Sequence, residues 1–339
     1  MSEGLQNPQP AGLTRHPAAV ALLLPVLAFV IAISSVKHDP VPPFLSGNHS
    51  PYGYTISLAL FLVPLTSLTV WFVRRKAALE CQWDAFWLTT AIVATTWSLL
   101  DIFLGNAFFT FPNRGATLQI YAPGYTFGKG WTHSIPIEEF VFYISGSATI
   151  LMGYIWAAES WLARYTHTPE EFDAYVQTVP RLVTWRPRFV IIGAIVFAIA
   201  LVWKKFGPHE DTAGFPSYFL FELLMVILPA ATLADAVRPV INPPAFVYKT
   251  LTLVLTSLLW EATLALPYGW WGFHHENMMG VLIRPWFNLP AEEVILWPCA
   301  AWLNLTLYES FRIYLRSGRP LMDMLFTPRA QPIPARYGE

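Results

Sequence analysis

The chain has 339 residues, of which 55% are hydrophobic, 16% aromatic and 13% charged; a soluble domain carries about 25% charged residues. That deficit, with apolar runs of about 20 residues, argues against an ordinary soluble domain and predicts an all-α integral membrane protein. The formal net charge of -1 gives no footing for a nucleic-acid partner, and two cysteines, Cys81 and Cys299, suggest neither a disulfide framework nor a metal site.

Residues 1–16 form a polar N-terminal tail. The apolar stretch after His16 lacks a small-x-small cleavage site and reads as a retained first helix, not a signal peptide. Eight transmembrane helices are predicted, at 17–36, 54–73, 85–105, 137–162, 187–204, 216–236, 246–266 and 291–312. Arg74-Arg75-Lys76 reads as a membrane-flanking cluster. With the N-terminus inside, 15 Lys and Arg residues fall on inner segments and 6 on outer ones, so both termini are predicted to be cytoplasmic. The expected location is the plasma membrane, crossed many times.

The chain also repeats itself. Pro51 and Pro64 bracket the start of the second span as Pro216 and Pro229 bracket the sixth. Ser98-Leu99-Leu100-Asp101 ends the third span, and Ser257-Leu258-Leu259-Trp260-Glu261 approaches the end of the seventh. Pro-x-Glu-Glu then opens the fourth span at Glu138-Glu139 and the eighth at Glu292-Glu293. Four spans per unit keep the orientation, so residues 17–165 and 187–312 are predicted to be two parallel repeats of four, facing each other across one site. Residues 166–186 connect them, and 313–339 form a C-terminal tail. The connection holds a third Pro-x-Glu-Glu at Pro169-Glu170-Glu171. There Thr168 is a fitting N-cap, Pro169 suits the first helical position, and acids favour a helix N-terminus. No membrane run follows, so this copy reads as a helix start.

Topology sorts the acids by depth. Asp101, Glu138, Glu139, Glu222, Glu261, Glu292 and Glu293 all fall in the outer half of the membrane. There an acid is costly unless it faces an interior and finds partners. Few cations are at hand to pair with them: Arg114, Lys129 and Arg284 are the outer-loop candidates. Part of the cluster is therefore expected to stay neutral at pH 7, and a neutral buried carboxylic acid is a proton donor. Helix capping explains one such motif; two copies, each with an acid ending the preceding helix, favour function.

Other acid chemistries fit the sequence less well. Membrane proteases built on a Glu-Glu pair carry arginine four residues after the second Glu, where this chain has Tyr143 and Trp297. No Asp-rich motif for magnesium and diphosphate occurs. The lysines lie near span ends, which argues against a retinal protein. Gly124 to Gly130 lacks phosphate-loop spacing, and His274-His275-Glu276 reads as polar loop rather than metal site. No cofactor is expected. Aromatic residues crowd the outer ends of the third, fourth, seventh and eighth spans. Belt positions account for many of them, but ring faces also stabilise cations. Trp131, Phe140, Trp260, Trp270, Trp271 and Trp297 are candidates for substrate binding. A buried proton donor lined by rings suits protonation of an alkene and shielding of the carbocation from water.

"IPIEEFVFY" (135–143), preceded by "LLDIFLGNAFFTF" (99–111), resembles the membrane-integral lycopene cyclase domain of carotenoid biosynthesis. "WEATLALPYGWWGF" (260–273) with "LPAEEVILW" (289–297) resembles a second copy. The resemblance covers about a third of the chain. It implies a terpenoid isomerase that closes the linear ends of lycopene into β-ionone rings without redox change or permanent cofactor. It also implies that Glu138, Glu139, Glu292 and Glu293 are the catalytic acids, assisted by Asp101 and Glu261. One Glu would protonate the terminal alkene, the neighbouring alkene would close the ring, and a paired carboxylate would remove a ring proton. Partners would be a lipid-soluble linear isoprenoid and membrane lipids, with oligomers open. The family's halves usually read as three spans each, and the second copy lacks the upstream "DIFLGN" pattern. Both departures leave room for a member acting on another isoprenoid end, or for one active and one supporting half. Alternatives are a carotenoid hydratase using the same protonation, a proton- or cation-coupled transporter, and a non-catalytic assembly subunit.

Overall fold

The computed structural model describes residues 50–75, 80–208 and 213–326; the first predicted span, the N-terminal tail and the chain beyond 326 lie outside them. The described chain is mostly helical. α1 (Gly53–Ser57) and α2 (Ala59–Arg75) form one rod with a turn at Leu58. α3 (Glu80–Leu100) runs into a π-helical turn, Asp101–Gly105, and a last turn to Phe108. α4 is Ile137–Glu159, α5 Pro169–Thr178 and α6 Pro187–Phe206. α7 (Ser217–Glu222), a π turn (Leu223–Ile227) and α8 (Leu228–Val237) form a second rod. α9 (Pro243–Trp260) passes into a third π turn, Glu261–Ala265. α10 (Ala291–Ser317) and α11 (Leu321–Phe326) close the chain.

Among the described residues, five helices are long and apolar enough to cross a membrane: Gly53–Arg74, Trp83–Phe108, Ile137–Glu159, Pro187–Phe206 and Ser217–Val237. α9 and α10 match the predicted seventh and eighth spans in place but are not among them. α9 opens on Pro243-Pro244 and carries Lys249; α10 carries three acids and two arginines. Their polar residues face inward: Glu292, Glu293, Asn304 and Glu309 are all buried. Lys249, expected near a span end, is buried in the second turn of α9 against Gly153.

The two prolines that bracket each rod explain its irregularity. Pro64 and Pro229 have no N–H for the carbonyl four residues earlier, so the turn before each loosens. One rod breaks at Leu58, and the other widens into a π turn at Leu223–Ile227. α3, α4, α9 and α10 pack together at the centre, α2 lies on α4, and α8 on α10. Tyr54, Phe61, Leu151, Tyr154, Trp260 and Tyr308 belong to the largest core cluster.

Three two-stranded sheets shape the loops at the end where Pro-x-Glu-Glu opens α4 and α10. β1 (Phe109–Thr110) pairs antiparallel with β4 (Gly272–Phe273), tying the loop after α3 to the loop after α9. β2 (Tyr121–Thr126) and β3 (Gly130–Pro136) form a hairpin, and β5 (Leu282–Ile283) pairs with β6 (Leu289–Pro290). The hairpin packs on the Asp101–Gly105 turn. Asn106 Nδ2 clasps it, donating to Ser134 Oγ at 2.7 Å and Thr126 Oγ1 at 2.9 Å.

The third Pro-x-Glu-Glu copy is a helix start. Thr168 Oγ1 accepts from the Glu171 amide and the Glu171 carboxylate accepts from the Thr168 amide, a complete capping box. α5 is fixed to α10 by a two-pronged pair in which Arg316 donates to Asp173 at 2.6 and 2.7 Å. Hydrogen bonding from Arg316 holds the Asp173 carboxyl below the usual carboxylate range. A carboxyl depressed in the fold stabilises above its unfolded value and loses that support as pH falls through the lowered one. Both groups are solvent-exposed, so the effect is small. Asp173→Asn is expected to lower the melting temperature slightly at neutral pH. The difference should close in acid; a gap that grows with acidity would refute this account.

Candidate functional site

Glu138 and Glu139 are neighbours in the first turn of α4 and therefore point about 100° apart. Glu138 is buried and turned back to the loop, where its Oε1 accepts from the Leu118 amide at 2.7 Å and from Thr55 Oγ1. Glu139 turns the other way and accepts from the Tyr54 hydroxyl at 2.6 Å. α10 does the same. Glu292 Oε1 accepts from the Met279 amide, while Glu293 accepts from the Tyr218 hydroxyl at 2.7 Å. The first acid of each pair thus moors a loop, and the second faces inward.

What the second acids face is a cavity with about 1070 Å³ of empty space, part of it open to the surroundings. α3, α4, α9 and α10 wall it, with Tyr54 and Phe61 on one side and Tyr218 and Phe221 on the other. Its carboxyls are Asp101, Glu139, Glu261 and Glu293. Glu261 hydrogen-bonds Glu293, and Tyr143 hydrogen-bonds Glu139. Away from the acids, Ser147 donates to Asn304 Oδ1 at 2.7 Å, and both line the wall. The remaining lining is almost wholly apolar or aromatic.

Asp101 and Glu261 each open a π turn, a distortion that re-aims side chains and recurs at functional sites. At Asp101 the turn needs a glycine: a Cβ on Gly105 would fall on the Asp101 carboxyl. The "DIFLGN" stretch therefore has three jobs: Asp101 faces the cavity, Gly105 leaves it room, and Asn106 clasps the hairpin. Ala265 and Leu266 end the corresponding stretch in α9, where no such hairpin follows. Gly105→Ala is expected to displace the Asp101 carboxyl, press on Ile135 of the hairpin and lower the melting temperature; a variant as stable as the parent would contradict it.

Of the candidate binding aromatics, Trp260, Trp271 and Trp297 line the cavity. Trp131, Phe140 and Trp270 do not. Trp131 sits on the hairpin, 57% exposed, edge-on to Phe103. Trp270 is buried behind Tyr54, stacked on its ring, with Nε1 donating to Ser50 Oγ at 2.8 Å. Glu222 is fully buried beside Glu292 and Glu293 but outside the lining. The cation near Glu292 is Lys204, not one of the three expected loop cations; its Nζ also donates to the His275 carbonyl. Arg114 lies over the Tyr121 ring.

Sequence reasoning missed the tyrosines. Tyr54 and Tyr218 follow Pro51 and Pro216, the repeat's own landmarks, and that placement was the available signal. Among the described residues, no group of three or more His, Cys, Asp or Glu is arranged to hold a metal. Hydrogen-bonded carboxyls set against apolar walls and ring faces can deliver and remove protons away from water. Compared with protein-family models, curated proteins and solved structures, the chain matches none.

Proposed function

We propose that this chain is a carotenoid-type cyclase of the plasma membrane. In this reading it crosses the bilayer eight times as two parallel repeats of four, with both termini cytoplasmic. Its reaction is the acid-catalysed, redox-neutral closure of a linear isoprenoid end, with lycopene as the substrate suggested by resemblance. The observation that carries the reading is the cavity itself: four carboxyls, three of them buried, meet in an apolar, aromatic chamber. Such a chamber suits a carbocation. Acid starts it, ring faces shield it, and a carboxylate ends it by taking a proton. Glu138 and Glu292 serve by fixing loops; Glu139, Glu293, Asp101 and Glu261 face the substrate.

The test is expression in cells that accumulate lycopene, with pigments separated by chromatography. Cyclic products of unchanged mass are expected. Products heavier by one water would favour a hydratase, and untouched lycopene would sink the cyclase reading for that substrate.

A further inference from the structure

The cavity's two sides differ in a way that the repeated motif hides. Asp101 is 4% exposed and lines the cavity, and the Tyr143 hydroxyl is the one described group that reaches its carboxyl. Its counterpart Glu261 is bonded instead to another acid, Glu293. A carboxylate buried with a single donor loses most of its hydration with little in return, so the Asp101 carboxyl is held with its proton on. Glu139 is the opposite case: the hydroxyls of Tyr54 and Tyr143 both donate to it, the environment that suits a carboxylate.

Four residues past the second Glu, the sides differ again. Tyr143 stands there in α4, near both Glu139 and Asp101; Trp297 stands there in α10. A phenol hydroxyl both accepts and donates a proton, whereas an indole N–H only donates. On one side a tyrosine stands between acid and base and can pass a proton from Glu139 back to Asp101; on the other the two acids bond each other directly, so the Glu261 proton is turned to Glu293 and not to the cavity.

We infer that Asp101 is the proton donor, Glu139 the base and Tyr143 the relay between them, so that one side of the cavity works and the Glu261–Glu293 side supports it. This rests on the cyclisation reading. The Asp101 O–H bond breaks as a C–H bond forms at the terminal alkene carbon. The electron pair of the neighbouring alkene makes the ring C–C bond and leaves the positive charge one carbon further on. Glu139 takes a proton from the adjacent ring carbon, and that C–H pair becomes the ring double bond. Nothing is oxidised or reduced. After product leaves, Glu139 gives its proton to the Tyr143 oxygen while Tyr143 gives its own to Asp101. One cavity then closes one end at a time.

The experiment compares first and later turnovers of the purified full chain in nanodiscs, mixed with lycopene. Asp101→Asn should lower even the first turnover by about 10²–10⁴-fold, the usual share of a general acid. Glu261→Gln should lose far less. Tyr143→Phe, which also removes one of the two donors to Glu139, should slow the first turnover modestly and the steady-state rate several-fold more, because recycling is impaired as well. A first turnover that survives in Asp101→Asn, an equal loss in Glu261→Gln, or equal slowing of both phases in Tyr143→Phe would overturn the assignment. Infrared spectra of the substrate-free protein give a second readout. Asp101→Asn should remove one component of the protonated-carboxyl absorption, to which the buried Glu222 and Glu261 also contribute, and Glu139→Gln should leave that component in place; an unchanged absorption in Asp101→Asn overturns the donor assignment. If wild type leaves lycopene untouched while the band behaves as expected, the substrate reading fails and the proton assignment stands.

Discussion

In the proposed cyclase, Glu139→Gln is expected to remove turnover almost entirely, by about 10²–10⁴-fold, without unfolding the protein. Glutamine keeps an oxygen for the Tyr54 hydroxyl, which now donates at 2.6 Å, but it cannot take a ring proton. Glu138→Gln is the necessary contrast. Glu138 lies outside the cavity lining and accepts from Leu118 and Thr55, so its loss loosens a loop and should leave substantial turnover. Pigment formation per milligram of each variant, alongside its melting temperature, checks the pair. Equal loss in both variants would refute the division of labour within each Pro-x-Glu-Glu.

That division is not legible in the letters, where the resemblance makes all four glutamates catalytic acids. Consecutive helical residues point about 100° apart, so two adjacent acids need not share one role. Which of the two faces in depends on how α4 is rotated, and the apolar letters around it do not determine that rotation. The helices were legible because most of their apolar runs are long: seven of the eight predicted spans coincide with described helices or rods, five of them long and apolar enough to cross a membrane, and the first lies outside the described residues. The aromatics were less legible. A tryptophan near a membrane surface looks alike in a belt, a hairpin or a pocket wall, so Trp131 and Trp260 carried equal weight. Only the hairpin, held by Asn106, separates them. Tyr54 and Tyr218 were hidden for the same reason. The Asp101 and Glu261 positions were legible as acids ending a span, but not as starts of π turns, which leave no periodic trace in sequence.

Trp260→Ala is expected to cost about 3–5 kcal/mol, the usual loss for a large core aromatic. Trp260 is 2% exposed. Its ring lies 4.6 Å from that of Trp271, 5.1 Å from Phe61 and 5.3 Å from Phe142, and its Nε1 donates to Ser57 Oγ at 2.9 Å. It joins the α1–α2 rod to α4 and α9 while forming part of the cavity wall. Truncation should lower both stability and turnover. Trp260→Phe restores most of the packing and should recover most of the stability. Unfolding in detergent measures both; a Trp260→Ala protein within about 1 kcal/mol of wild type would show that neighbours collapse into the gap.

Glu138 and Glu292 reach from the first turn of their helices to the amides of Leu118 and Met279. Each loop is thereby moored to the helix whose next residue faces the cavity. A nanobody that grips residues 113–120 and draws that loop aside would withdraw a bond from Glu138 and disturb Glu139 without entering the chamber. The loop rim is thus a handle on the buried chemistry, within reach of water-soluble reagents that the apolar chamber itself would never admit.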